Sequence, residues 1–158
     1  MPSSYDYAAP LREDRSLTPK FNEIKLQSHF LHASADLFTT SIVFAAVGHT
    51  DNADIYTTYL QGQNGTGFYV FRQNTNRCVD HCFHRPLIDL LLESNTNTQT
   101  FTAPVNVSGS VVTVPQFGSK ITLAGRESKI LVTNYQFGSS ILQYSTAEVS
   151  SGGMDPQD

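Results

Sequence analysis

The 158-residue chain contains no tryptophan and only two cysteines, and charged residues make up just 15% of it. The net charge is −4 and the few Lys and Arg residues form no basic patch, so no nucleic-acid partner is expected. No apolar run approaches the roughly 18 residues of a membrane helix, so no membrane partner is expected either. Residues Met1–Tyr5 show neither the basic nor the apolar region of a signal peptide.

The residues that are present indicate a β-rich domain. Hydrophobic residues make up 39% of the chain, which suffices for the core of a single domain. Thr, Ser, Asn and Gln are abundant, a mixture typical of secreted β-rich proteins and unlike acidic disordered chains. The glycines follow turn patterns and form neither G-x-G-x-x-G nor a P-loop. We therefore predict no cofactor.

The C-terminal block Val114–Val149 has the pattern of short strands separated by turns. Apolar and β-branched residues alternate with polar ones in each predicted strand, and Gly and Ser concentrate in the connectors Ala124–Ser128 and Gln136–Ser140. This pattern predicts antiparallel β structure. The three predicted strands are Ile121–Leu123, Ile130–Tyr135 and Ile141–Thr146.

One helix is predicted near the N-terminus. Thr18 suits the N-cap and Pro19 the first helical position, and the helix should end near His32–Ser34. Its apolar residues recur at helical spacing, which predicts an amphipathic helix. These residues are Leu17, Phe21, Ile24 and Leu31.

Strands are also predicted in the middle of the chain. Ser41–Val47 is apolar enough for a strand, and Asp54–Gln61 and Gly67–Gln73 are rich in aromatic and β-branched residues. The connector Gly62–Thr66 contains Asn-Gly, which predicts a hairpin between the last two strands. His29, His32 and His49 stand alone, and we expect them at the surface or at helix ends.

Residues 78–99 interrupt the β pattern. Within them, Pro86–Glu93 fits a short helix or a buried strand equally well. A Cys78–Cys82 disulfide would close only a tiny loop, and free thiols are an equal alternative. Four metal-ligand residue types occur within seven positions, too close together to surround one ion tetrahedrally, so we predict no metal site. These four residues are Cys78, His81, Cys82 and His84.

Several motifs carry a resemblance to one enzyme family. Gly125–Ile130, Val132–Tyr135 and Tyr144–Val149 resemble the β-sandwich domain that follows the catalytic barrel in fungal-type β-galactosidases of glycoside hydrolase family 35. The predicted hairpin and the Arg72–Arg77 stretch resemble the same domain. The resemblance implies a secreted parent enzyme that hydrolyses terminal non-reducing β-D-galactose residues with retention.

The N-terminal stretch resembles the end of the family's (β/α)8 barrel. Ser4–Tyr7 is similar to the end of its last strand, and Leu17–Leu31 to its last helix. The resemblance implies that Tyr7 contacts the galactose and that Asp6 supports the site, which fits the usual position of barrel active sites. Without the resemblance, Tyr5 and Tyr7 would be interpreted as ordinary half-buried aromatic residues. It also implies that both catalytic glutamates lie on earlier barrel strands, so we predict no catalytic residue in this chain.

Two sequons, Asn64–Thr66 and Asn106–Ser108, make Asn64 and Asn106 candidates for N-glycosylation if the chain enters a secretory pathway. Four glutamates match no catalytic motif of the family. They are Glu13, Glu23, Glu127 and Glu148.

The predicted fold is mainly β, an antiparallel β-sandwich preceded by one amphipathic helix left over from the barrel. We assign residues 1–34 to the barrel tail, 35–149 to the second domain and 150–158 to a flexible tail. Residues 78–99 are predicted to be an insertion, and translated intron sequence from a gene-model error is one hypothesis for their origin. On its own the helix would expose its apolar face, unless it folds back onto the sandwich.

Three functional hypotheses follow. The chain is part of a β-galactosidase and inactive by itself, or it is a stand-alone sandwich module that binds carbohydrate or a partner subunit, or it is an unstable product without function. The second hypothesis requires an exposed aromatic platform. Its candidates are Tyr56, Tyr59, Phe68 and Tyr69, although strand alternation more simply places some of them in the core.

Overall fold

The computed structural model describes residues 9–74, 97–125 and 127–145. The chain divides into two compact units. One comprises Met1–Phe38 and Val149–Asp158, and the other comprises Thr39–Glu148. The domain boundaries expected after residues 34 and 149 remain predictions.

The first unit contains the predicted helix, α1, which spans Pro19–Ala33. Thr18 is its N-cap with an extended backbone, and Pro19 occupies the first turn, so the predicted start is confirmed. The Thr18 hydroxyl makes no cap bond but donates to the Pro10 carbonyl at 2.9 Å. Leu17 lies outside the helix, bridged to Leu11, so its assignment to the helical face was wrong.

Of the other residues of the predicted apolar face of α1, Phe21 and Leu31 are half-buried and Ile24 is exposed. No residue of α1 is buried, and Ile24 is 41% exposed. A short 3-10 helix, Ala35–Thr39, follows. Among the helices formed by the described residues, none has the length and apolar character needed to cross a membrane.

The described residues form nine strands, all belonging to the second unit. They are β1 (Ser41–Val47), β2 (Ile55–Gln61), β3 (Gly67–Gln73), β4 (Gln99–Phe101), β5 (Ala103–Val107), β6 (Ser110–Val114), β7 (Ile121–Leu123), β8 (Ser128–Phe137) and β9 (Ser140–Ser145). Five of them build one antiparallel sheet in the order β1-β2-β3-β8-β9. The antiparallel pairs β4–β7 and β5–β6 form two smaller sheets.

The core lies between the large sheet and the two smaller ones. One face of β2, β3 and β8 contributes buried side chains, and the short strands contribute others from the opposite side. Removing this apolar surface from water drives the layers together. The architecture confirms the predicted antiparallel sandwich preceded by a helix. The main core residues are Ile55, Tyr69, Phe71 and Leu131 from the large sheet, and Phe101, Val105 and Leu123 from the small ones.

The hairpin between β2 and β3 is present as predicted. The Gly62 amide donates to the Thr66 carbonyl at 2.8 Å, and the Gly65 amide donates to the Gly62 carbonyl at 3.0 Å. Gly65 has φ +88°, which an L side chain rarely adopts. The Asn-Gly sequence therefore fulfils the backbone requirement that made it a hairpin signal.

Other boundaries differ from the prediction. The predicted turn Gln136–Ser140 is shorter, because β8 continues to Phe137 and pairs with Ser140 at the start of β9. Gly138, at φ +57°, and Ser139 alone make the turn. Antiparallel pairing thus includes Gln136, Phe137 and Ser140 in the strands, although the Gly and Ser residues around them predicted a longer loop.

The sequence reading overlooked β4, β5 and β6. Alternating burial in β5, from Ala103 to Val107, shows that a period-two signal was available there. Gln99, placed at the end of the predicted insertion, begins β4 instead. The rest of that prediction concerns mainly residues 75–96, which lie outside the described residues.

Candidate functional site

Two sets of candidate residues lie outside the described part of the chain. Tyr7, the galactose contact implied by the resemblance, is one of them, together with Asp6 beside it. The closely spaced cysteines and histidines of residues 78–84 form the other. In the described ranges, no three His, Cys, Asp or Glu side chains are grouped closely enough to hold a metal ion.

The proposed aromatic platform does not exist. Tyr59, Phe68 and Tyr69 are 6%, 0% and 3% exposed, so the interpretation of these residues as a carbohydrate-binding surface was wrong. Tyr56 is half-buried, and the Arg72 guanidinium lies 4.2 Å from the centre of its ring. The platform is absent because Tyr59 and Tyr69 belong to the core cluster and Phe68 is also buried, although Arg72 further along β3 is exposed.

Two of these aromatic side chains, Tyr59 and Tyr69, instead belong to a cluster of rings inside the second unit. The rings of Tyr59 and Tyr69 lie 4.2 Å apart and nearly parallel, and Phe44 packs 5.6 Å from Tyr59. His49 joins them, with its ring centre 4.5 Å from that of Phe44. His49 is therefore a half-buried member of the cluster, and its predicted position at the surface was wrong.

The environment of His49 favours its neutral form. Burial lowers its pKa from the ordinary 6.5, and a hydrogen bond to the Pro104 carbonyl opposes this only in part. That bond must come from Nδ1, because Nε2 is buried without a hydrogen-bond partner among the described residues. An uncharged ring is the form that fits beside Phe44 and Tyr69.

Tyr69 connects this cluster to strand β5. Its hydroxyl oxygen accepts a hydrogen bond from the Asn106 amide at 2.9 Å. Burial raises the pKa of the Tyr69 hydroxyl, so the group stays protonated at any physiological pH. The position of Asn106 is thus tied to the packing of the core.

A depression of about 440 Å³ opens on the surface of the second unit near Asn106. Among the described residues it is lined mainly by amide side chains and glycines, and Ile141 is the one apolar side chain. We call it the amide-lined depression. Its lining residues are Gln61, Asn64, Gly65, Asn106, Ser108, Gly109, Asn134, Gln136 and Ile141.

Asn134 holds the walls of the amide-lined depression together. Its Nδ2 donates to the carbonyls of Gly65 and Asn106, each at 3.3 Å, and its Oδ1 accepts from the Ser108 amide at 2.9 Å. Its backbone has φ +53°, a conformation that Asn tolerates better than most residues. One side chain of β8 therefore joins the β2–β3 turn to the β5–β6 turn. The sequence identified Asn134 only as part of the Val132–Tyr135 motif and not its contacts, because its partners are distant in the chain.

Both sequon asparagines line this depression, although they differ in exposure. Asn64 is exposed, and its Oδ1 accepts from the Thr66 amide at 3.0 Å within the hairpin loop. Asn106 is half-buried, and its Oδ1 accepts from the Gly109 amide at 3.0 Å. The sequence identified both residues but could not show that they share one site.

Two carboxylates of the second unit, those of Asp51 and Glu127, make structural contacts. Asp51 accepts from the Lys120 ammonium and from the Thr102 amide, both at 2.6 Å, and the Lys120 bond is the main cause of its lowered pKa. Glu127 accepts from the Ala124 amide at 2.6 Å, which closes the turn before β8. A general acid of a glycosidase needs a raised pKa, so Asp51 is unsuited to that role.

Comparison with known proteins points to one family. Residues 92–153 match the family model for domain 2 of β-galactosidase. The chain is 38% identical over 149 residues to a probable β-galactosidase B of Penicillium rubens, and 35% identical to proteins of the same name from Talaromyces marneffei and Aspergillus niger. In each case the match covers 93% of this chain and 13% of the relative.

Proposed function

Because the chain belongs to the fungal-type β-galactosidases of glycoside hydrolase family 35, we propose that it forms part of an enzyme that removes terminal non-reducing β-D-galactose residues with retention. The observation that carries this proposal is the 38% identity over 93% of the chain to the Penicillium rubens protein. The chain spans 13% of that relative's length. In this proposal the activity therefore belongs to an enzyme with more domains than these 158 residues contain.

In this proposal the second unit is a supporting sandwich domain and the chemistry lies elsewhere in the enzyme. A retaining glycosidase needs two carboxylates about 5 to 5.5 Å apart on either side of the scissile bond. Asp51 and Glu127 are held in structural contacts, and no glutamate of this chain matches a catalytic motif of the family. The 158 residues alone are therefore expected to be inactive.

Three further features belong to the same proposal. Tyr7 contacts the galactose, as its position in the barrel-like Ser4–Tyr7 stretch implies. The enzyme is secreted, participates in carbohydrate metabolism and carries N-linked glycans, for which Asn64 and Asn106 are the candidates in this chain. The polar, charge-poor composition of the chain supports secretion.

A segment exchange tests this function. The matching segment of the Penicillium rubens β-galactosidase B is replaced by these 158 residues, and hydrolysis of a chromogenic β-galactoside is measured for the hybrid and for the chain alone. We expect an active hybrid and an inactive chain. A hybrid that is secreted in normal yield but has no activity would contradict the proposal, as would turnover by the chain alone.

The same hybrid tests Tyr7. Tyr7→Phe should raise KM for the galactoside several-fold or lower kcat, because a sugar contact is lost, whereas Tyr56→Phe in the second unit serves as a control and should leave both constants unchanged. Unaltered kinetics in Tyr7→Phe would reject the galactose contact.

The binding-module alternative has lost its main support, since three of its four aromatic residues are buried. Galactan binding by the chain in the absence of turnover would restore it.

A further inference from the structure

Three backbone and side-chain hydrogen bonds fix the orientation of Asn106. Its amide donates to the Tyr69 hydroxyl, its carbonyl accepts from Asn134 Nδ2, and its Oδ1 accepts from the Gly109 amide. Its Nδ2 makes no hydrogen bond within the described part of the chain, although the side chain lines the amide-lined depression. Nδ2 is the atom to which an N-linked glycan attaches.

The depression has the size and chemistry to hold a sugar ring. Its volume of about 440 Å³ lies within the range of roughly 300–1,000 Å³ found for sites of small ligands. Side-chain amides such as those of Asn134 and Gln136 can both donate to and accept from sugar hydroxyls. Ile141, which is 59% exposed, offers an apolar surface for the ring or for an acetamido methyl group.

We propose that Asn106 carries an N-linked glycan whose reducing-end sugar occupies the amide-lined depression and stabilises the contacts around Asn134. The inference rests on the proposed function, because a chain meets the glycosylation machinery only in a secretory pathway. Ser108 supplies the hydroxyl that the sequon requires.

The attachment follows the ordinary chemistry of such sites. A bond forms between Asn106 Nδ2 and C1 of the reducing-end sugar, and the bond between C1 and the pyrophosphate of a lipid-linked oligosaccharide donor breaks. The amide nitrogen gives up one proton, and the lipid pyrophosphate leaves. The resulting secondary amide keeps Oδ1, so the bond from the Gly109 amide is retained.

Asn64 provides an internal comparison. It is exposed in the hairpin loop, where Gly65 follows it at a positive φ. Asn64 lines the same depression but is more exposed than Asn106, so a glycan there should make fewer contacts with the protein and its loss should affect stability less. Loss of the glycan is therefore expected to lower Tm more at Asn106 than at Asn64, although both residues line the same depression.

The experiment uses the full chain, secreted from yeast with a heterologous leader, and the same chain made in bacteria without glycans. Site occupancy is measured by mass spectrometry, and Tm by thermal unfolding. Asn106→Asp removes the attachment atom but keeps an oxygen for the Gly109 amide, and Ser108→Ala removes the sequon without adding charge. Asn64→Asp is the matched control.

We expect Asn106 to be occupied in the secreted chain. Asn106→Asp and Ser108→Ala should each lower Tm by several degrees in secreted protein and by much less in bacterial protein, whereas Asn64→Asp should change Tm little in either. An unmodified Asn106, an unchanged Tm after loss of its glycan, or an equal loss in Asn64→Asp would overturn the inference.

The Penicillium rubens hybrid separates this inference from the enzymatic proposal. It also allows the test if the isolated chain fails to fold. In the Penicillium rubens hybrid, activity with an unmodified Asn106 would reject the glycan and retain the enzyme assignment. An occupied Asn106 in a secreted but inactive hybrid would reject the enzyme assignment on which the inference rests.

Discussion

Gly67 and Thr133 face each other in the β3–β8 pairing, and the Thr133 hydroxyl fills the space that a Cβ atom at Gly67 would need. An added Cβ would lie 2.5 Å from Thr133 Oγ1 and 3.1 Å from Cε2 of the Tyr59 ring. Thr133 is completely buried, so its side chain has little room to withdraw. Close approach of two strands, and not a turn conformation, therefore requires glycine at this position.

Gly67→Ala should consequently destabilise the second unit. We expect the free energy of unfolding to fall by about 1–3 kcal/mol, as for other overpacked cores. Urea denaturation monitored by tyrosine fluorescence would measure the change.

The matched control is a double-mutant cycle with Thr133→Ala, which removes the clashing hydroxyl. Gly67→Ala should cost clearly less in the Thr133→Ala background than in the wild type, because the two side chains compete for one space. Additive effects of the two substitutions would show that the clash is not the cause.

Two fully buried threonines give opposite predictions for the same substitution. Thr57 Oγ1 has no hydrogen-bond partner among the described residues, whereas Thr66 Oγ1 donates to the Asn134 carbonyl at 3.3 Å. Thr57→Val should raise the free energy of unfolding by about 1 kcal/mol, because it removes an unsatisfied buried hydroxyl. Thr66→Val should lower it by about 1 kcal/mol, because a bond is lost. The same shift in both variants would contradict this explanation.

Burial of His49 predicts a dependence of stability on pH. Its folded-state pKa lies below the ordinary 6.5, so the unfolded chain binds more protons as the pH falls through that value. The free energy of unfolding should therefore fall as the pH is lowered, and level off below the folded-state pKa. His49→Asn, which can keep a donor for the Pro104 carbonyl, should show a smaller fall between about pH 7.5 and about pH 5. Equal pH profiles would rule out His49 as the titrating group.

Local chemistry explains which elements were predictable. The Thr18-Pro19 pair determines where α1 begins, and Asn64-Gly65 supplies the backbone conformation of the β2–β3 turn. Both signals act within a few residues, so the sequence alone contains them. The same holds for the Gly-containing turn after β8, although pairing made it shorter than predicted.

Long-range relationships were not predictable in the same way. The pairing of β3 with β8 and the three-way contacts of Asn134 depend on residues far apart in the chain. The burial of Tyr59 and Tyr69 depended on which side of the sheet the short strands cover. Alternation along a strand gives the two faces but does not say what packs against each of them.

The β3–β8 pairing also has a consequence for chain entropy. The last residue pair of this pairing is Arg72 with Ser128, and residues 73–127 connect the two. The predicted insertion at residues 78–99 lies within this connection. Loop-closure entropy grows only with the logarithm of loop length, so extending such a connection from about 33 to about 55 residues costs roughly 0.5 kcal/mol. By this contribution alone, those residues change the cost of bringing β3 and β8 together by less than a single substitution at Gly67 is expected to change stability.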